Sequence, residues 1–268
     1  MTQVAKAEHF HALHTGPQVL ILANVWDAAS AAVVADAGAK ALATSSAAVA
    51  WTYGEPDGDI LAVKTTCAMV AAIVRITDLP VSCDFEGGFT DDLGTLADNI
   101  TRIIDAGAVG INFEDGARDP DLHARKIAAA RAAADRAGVP LFINARTDIY
   151  LRGLATGEAA EVETVRRAGL YIAAGASGIF VPGAADDELI GRLAGTIAAP
   201  LNIITWPGVP DVKVLESLGV RRLSAGTATF RAAFAALAQA SAAFLTTGDS
   251  AALLATGGGA PNLQKRFS

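Results

Sequence analysis

Eight short apolar or β-branched runs punctuate the chain, each preceded by an alanine-rich stretch of helical periodicity, and no other feature restricts the fold as tightly. They fall at 19–23, 39–45, 80–86, 108–114, 140–146, 177–182, 200–205 and 220–225. Such alternation is the pattern of a parallel sheet. Four helix-to-strand junctions share one chemistry: Asp36-Ala37-Gly38-Ala39, Asp105-Ala106-Gly107-Ala108, Ala174-Gly175-Ala176 and Ser217-Leu218-Gly219-Val220. Each offers a glycine able to take the left-handed conformation that closes a helix. A doubly wound open sheet shares the alternation, but the count of eight argues for an α/β fold of the (β/α)8 TIM-barrel type, and no G-x-G-x-x-G follows the first run. One such barrel accounts for the whole of residues 1–268, with about 246–268 as a C-terminal extension whose end, 257–268, is expected to be mobile or docked on a partner.

Hydrophobic residues make up 52% of the chain and charged residues 18%, ample for one large core. No apolar run free of glycine, proline or charge reaches the length of a membrane span, so no membrane partner is expected. A net charge of −7 argues against nucleic acid, whose phosphates need clustered Lys and Arg. Cys67 and Cys83 lack C-x-x-C spacing and suit a reducing cytoplasm, and the polar N-terminus is unlike a secretory signal.

On a barrel, reactive groups gather at strand C-termini and in the loops that follow them. The third run ends in Asp84 and Glu86, the fourth in Asn112, Glu114 and Asp115, the fifth in Asn144, Arg146 and Asp148. A strand's two-residue period puts Asp84 with Glu86, Asn112 with Glu114, and Asn144 with Arg146 on shared faces. Asp57, in an expected loop at 47–59, joins them; a second loop is expected at 116–122. Asp84, Glu86, Glu114 and Asp57 form an all-oxygen set, which selects a hard divalent ion, Mg2+ or its substitute Mn2+. Taken singly, these residues also suit capping and turns: Asp84 to Gly88 reads equally as a strand-to-turn junction, and Asp115 and Asp148 as helix caps. So many adjacent carboxylates without a cation would repel one another.

The pieces Val25-Trp26-Asp27-Ala28-Ala29-Ser30-Ala31, Thr44-Ser45-Ser46-Ala47, Gly54-Glu55-Pro56-Asp57, Asp84-Phe85-Glu86-Gly87-Gly88, Phe113-Glu114-Asp115 and Asn144-Ala145-Arg146-Thr147-Asp148, in this order, resemble the isocitrate lyase and phosphoenolpyruvate mutase superfamily. The resemblance implies a (β/α)8 barrel whose last helix is swapped between subunits of a homodimer or homotetramer. It implies Mg2+ held through Asp57, Asp84, Glu86 and Glu114, some of them through water. It also implies a small 2-oxo acid or enolate held by Arg146 and by groups around Trp26, Asp27, Ser45, Ser46 and Ala47, with Asn202 as a further contact. One departure stands out: lyases of the superfamily carry a K-K-C-G-H loop after the fourth strand, and this chain has Asp115-Gly116-Ala117-Arg118-Asp119-Pro120-Asp121-Leu122-His123. Without the loop cysteine, His123 and Tyr53, both on loops expected to overhang the site, or water are the candidates for proton transfer.

These residues point to a Mg2+-dependent lyase that breaks or forms a carbon–carbon bond in a small 2-hydroxy or 2-oxo acid through a pyruvate-like enolate. Phosphorus–carbon chemistry, as in phosphoenolpyruvate mutase or phosphonopyruvate hydrolase, is the alternative, and a barrel that binds a metabolite without turning it over is a third. The strongly apolar helix expected at 229–245 reads as ordinary packing on the barrel, with burial against a neighbouring subunit as the other possibility.

Overall fold

All eight runs become strands of one parallel sheet in the computed structural model, which describes residues 1–268. The strands are β1 (Leu20–Leu22), β2 (Leu42–Ala43), β3 (Val81–Asp84), β4 (Gly110–Glu114), β5 (Phe142–Arg146), β6 (Gly178–Phe180), β7 (Leu201–Ile204) and β8 (Arg222–Ser224). Consecutive strands pair in register from β2 to β8, β8 returns to β1, and a parallel bridge between Val25 and Thr44 closes the ring. The helices are α1 (Gln3–Leu13), α2 (Ala28–Asp36), α3 (Ser46–Thr52), α4 (Val63–Arg75), α5 (Leu93–Asp105), α6 (Pro120–Ala137), α7 (Gly157–Ala173), α8 (Asp187–Thr196), α9 (Val212–Leu218), α10 (Ala228–Thr247), α11 (Ala251–Gly257) and α12 (Leu263–Arg266). The fold is a (β/α)8 barrel. Gly38, Gly107, Gly175 and Gly219 at the four repeated junctions all have φ between 93° and 105°, the left-handed turn the sequence requires there.

The strands send Cys83, Phe85, Ile111, Phe113, Ile143, Ala145 and Ile179 outward into the buried apolar layer beneath the helices. The opposite face fills the barrel with polar groups: Ser82, Asn112, Asn144, Asn202, Arg222 and Ser224 are all buried. At the N-terminal end α1 plugs the floor. His14 stacks on Phe142 with ring centroids 4.0 Å apart, and Phe10 lies edge-on to Phe142 at 5.5 Å. Phe10 reaches the sheet because residue 110 is glycine; a Cβ there would stand 2.7 Å from the Phe10 ring.

Four expectations are corrected. Residues 46–52, overlapping the first half of the expected 47–59 loop, form α3, with Ser45 as its N-cap. The 116–122 loop is shorter than expected, because Pro120 at the first turn and Asp119 as N-cap start α6 early. The C-terminal tail docks on its own barrel through Arg266, which meets Asp36 at 3.1 Å and donates to the Ile76 carbonyl at 3.2 Å. Finally, α10 does not pack as an ordinary barrel helix: of its 20 residues only Phe230 and Ala240 are buried. By length and composition it is also apolar enough to cross a membrane, although Arg231 interrupts its apolar run as the sequence expectation required.

Candidate active site

Adjacent ladders carry the strand-end groups to one mouth: Asp84 sits beside Asn112, Asn112 beside Asn144, and Glu114 beside Arg146 in register. The two oxygens of Asp84 differ. Oδ2 accepts the Ser46 amide at 3.0 Å, whereas Oδ1 is buried with no hydrogen-bond partner. The Thr44 hydroxyl accepts the Asp84 amide at 2.8 Å and fixes the backbone beneath.

Arg146 lies between two carboxylates. Its Nη1 meets Glu114 at 2.6 Å, and its Nε and Nη2 form a fork on Asp148 at 2.6 and 3.1 Å. Arg146 stays cationic and is pushed further up by Glu114 and Asp148. Glu114 is raised as well, from its usual 4.5 to about 8, because burial and the charges of Asp148, Asp84 and Asp57 outweigh Arg146. Glu86 is raised to about 7 by burial and by Asp57, Asp84 and Asp59, against the backbone amide of Asp59, which donates to it. Asp57, exposed at the rim, is shifted upward by desolvation around its carboxyl and then by Asp84. The mouth is thus overloaded with negative charge.

An all-oxygen set, an orphaned buried acceptor on Asp84 and carboxyls that resist ionising together fit a hard divalent cation. No three acidic, histidine or cysteine side chains converge as a finished ligand cage. Glu86 is occupied by the amides of Gly58 and Asp59, and Glu114 by Arg146. An ion here would take Asp84 directly and reach the others through water, as Mg2+ commonly does.

The remaining expected residues divide clearly. Tyr53 is exposed at the end of α3. Trp26 packs edge-on to Phe230 at 5.0 Å, and Asp27 caps α2 by accepting the Ser30 amide at 2.6 Å. Ser45 and Ala47 are buried at the start of α3, and Ser46 gives its amide to Asp84. Asn202 lies inside the barrel, accepting from Ser224 through Oδ1 while its Nδ2 has no partner. His123 is not on a loop. It is fully buried in α6 between Phe113 and Tyr171, and burial lowers it from 6.5 to about 3, so it neither reaches the mouth nor carries a proton there. Asp115 and Asp148 are not helix caps either. Asp115 is buried and accepts from the Asp148 amide, Arg167 and Tyr171, bracing β4 against α7.

Sequence reasoning overlooked two arginines. Arg222 is fully buried inside the barrel, donating to Ser224 at 3.2 Å and to Asn112 on the far side at 3.1 Å. Strand parity in Arg222-Leu223-Ser224 was the available signal, since it aims residue 222 inward. Arg118 bridges Asp59 at 2.6 Å and Asp91 at 3.0 Å beside the mouth. Only its place in the loop after β4 hinted at this.

A family model described as phosphoenolpyruvate phosphomutase matches residues 10–245. An uncharacterized protein of Mycobacterium tuberculosis is 35% identical over 239 residues, covering 87% of this chain and 88% of its own. Oxaloacetate decarboxylase of Pseudomonas fluorescens is 30% identical over 240 residues, covering 85% of this chain and 80% of its own. A crystal structure from Burkholderia cenocepacia, provisionally named a phosphonomutase, superposes with a TM-score of 0.86 at 41% identity, covering 92% of this chain and 100% of that one. With the barrel, the match over residues 10–245 and relatives of 30–35% identity across most of both chains, the chain belongs to the phosphoenolpyruvate phosphomutase family.

Proposed function

We propose that the protein is a Mg2+-dependent lyase that cleaves a carbon–carbon bond in a small 2-oxo dicarboxylate of the oxaloacetate kind. The observation that carries this reading is the free Oδ1 of Asp84 next to a fixed Arg146, at a mouth crowded with carboxylates. Similarity to an oxaloacetate decarboxylase over most of both chains supports the substrate class. Asp84 would hold the cation, with Glu86, Glu114 and Asp57 as the carboxylates around it. The cation, when bound, draws electron density from the 2-oxo carboxylate and lowers the energy of the adjacent enolate.

Arg146 binds a substrate carboxylate and faces the oxygen on which charge builds, and Asp148 fixes its fork. Ala47 offers its amide to the substrate, while Ser46 serves indirectly through Asp84. In decarboxylation the C3–C4 bond breaks, its electron pair forms the C2–C3 double bond of the enolate, and carbon dioxide leaves. The enolate carbon then takes a proton from water or from Tyr53 at the rim, and pyruvate results. Tyr53→Phe separates these donors: a tenfold or greater fall in kcat assigns the proton to the tyrosine, and an unchanged rate assigns it to solvent.

Phosphorus–carbon chemistry is the second reading, favoured by the family model and by the 41%-identical Burkholderia structure. Turnover of oxaloacetate, methylisocitrate, dimethylmalate and phosphonopyruvate with Mg2+, and again with chelator, decides between them. Chelator-sensitive pyruvate release from oxaloacetate is the expected result. Turnover of phosphonopyruvate alone would replace the leading reading, and ligand-induced stabilisation without any product would favour a binding barrel.

We also infer a homo-oligomer in a cytoplasmic setting. The helix after β8 should return to cover β1, but α10 leads away from it. Ile21 of β1 is left 55% exposed, beside a groove of about 880 Å3 lined by α1, β1 and the end of α2. The apolar face of α10 from a second copy fits such gaps, as the family's swapped helix implies.

A further inference from the structure

Only three non-glycine residues have left-handed φ, Asp59 at 60°, Glu86 at 49° and Phe89 at 63°, and all three meet in one knot beside the mouth. Such conformations carry strain and persist where surrounding contacts compel them. Here the contacts are reciprocal. The amides of Gly58 and Asp59 donate to the Glu86 carboxylate, while Oδ1 of Asp59 accepts the amides of Gly87 and Phe89, both at 3.0 Å. Oδ2 of Asp59 takes Nη2 of Arg118 at 2.6 Å, and Nε of Arg118 reaches Asp91 at 3.0 Å. Asp91 in turn accepts from Lys126, whose side chain is fully buried, at 2.6 Å. The Arg118 guanidinium lies over Gly87, in the space any side chain at that position would need.

Apart from Leu61 at its end, which is buried in the core, nothing else ties down the segment that carries Asp57. Residues 56–61 form no helix or strand and make no main-chain hydrogen bond to any other main-chain group. The knot is their hydrogen-bonded anchorage. The short loop after β4 therefore supplies a buckle: Arg118 closes over Asp59, and Lys126 at the foot of the same connection secures Asp91.

We propose that Asp59 and Arg118 are positioning residues that form a prebuilt clasp, holding residues 56–61, and with them Asp57, at the mouth before any ligand arrives. Neither residue touches substrate; both act through Glu86 and the backbone around Asp57. The part played by Asp57 rests on the function proposed above, whereas the clasp itself does not.

Hydrogen–deuterium exchange on the ligand-free, full-length protein tests the clasp, because a segment held only by side-chain contacts exchanges as soon as they are lost. Arg118→Ala should speed exchange of the amides the knot binds, those of Gly58, Asp59, Gly87 and Phe89, at least about tenfold, with the strands unchanged, and Arg118→Lys should fall between it and wild type. Asp59→Asn keeps an acceptor for Gly87 and Phe89 but loses the ion pair, and should loosen the same segment should the arginine variant fail to fold. With oxaloacetate and Mg2+, Arg118→Ala should raise KM at least about fivefold, leave kcat within about threefold, and be partly rescued by lysine. Unchanged exchange in both variants would overturn the clasp. Faster exchange with an unchanged KM would overturn its positioning role. Should none of the four acids be turned over, the functional reading falls while the exchange result still decides the clasp.

Discussion

The two oxygens of Asp84 separate structure from chemistry within one side chain. Oδ2 anchors the start of α3 through Ser46, and Oδ1 is left buried and unpaired. Asp84→Asn keeps an acceptor of the same shape for Ser46 but gives up the charge. It should fold with a Tm within a few degrees of wild type, lose at least about a hundredfold in kcat, and lose the Mg2+-induced rise in Tm. Retained turnover would remove Asp84 from the site. Glu86, held at about 7, is about half protonated at neutral pH and Glu114, held at about 8, is mostly so, and both must ionise to face a cation. Mg2+ binding at pH 7 should therefore release on the order of one proton, read by calorimetry in buffers of different ionisation enthalpy. A heat independent of buffer would rule that out. The sign for stability follows. Without the ion these two groups keep protons that the unfolded chain loses above about 4.5, so their contribution falls as pH rises from there to about 8. His14 and His123, lowered to about 3, act oppositely below 6.5, which leaves the decline clearest between 6.5 and 8.

Among the elements, strands were the most legible in the sequence, because burial imposes a two-residue period that glycine junctions then punctuate. Asp84, Glu114 and Arg146 could be placed on the inward face by parity alone. What composition could not reveal was where a polar side chain spends its bonds. His123 lies in the first turn of a proline-started helix and packs against Phe113, and Arg118 and Asp59 meet across 59 positions of sequence. The floor plug α1 was equally hidden, since its first residues read as polar and its function is defined by contacts to β5. Phe10 against Gly110 makes that docking testable. Gly110→Ala puts a methyl group 2.7 Å from the ring and should destabilise the barrel by about 1–3 kcal/mol in urea unfolding. Adding Phe10→Leu to the same chain should recover part of the loss, and a neutral Gly110→Ala would show that α1 yields freely.

At the scale of the whole molecule, the barrel is closed by hydrogen bonds but not by helices. Each strand needs a helix over its outer face to exclude water, yet Ile21 on β1 stays exposed while Phe234, Leu237 and Phe244 on α10 face solvent. An isolated chain would thus carry two unsatisfied apolar surfaces, a groove and a projecting helix, larger together than monomers usually tolerate. The exchange proposed above would cover both, with each α10 entering the other's groove and the contact the same in both directions. Phe234→Glu with Leu237→Glu charges that helix without touching the mouth. Light scattering should then report a shift from dimer or tetramer to monomer, with a lower Tm that no longer depends on protein concentration. A wild-type protein that runs as a monomer at micromolar concentration would mean that α10 covers something other than a second copy.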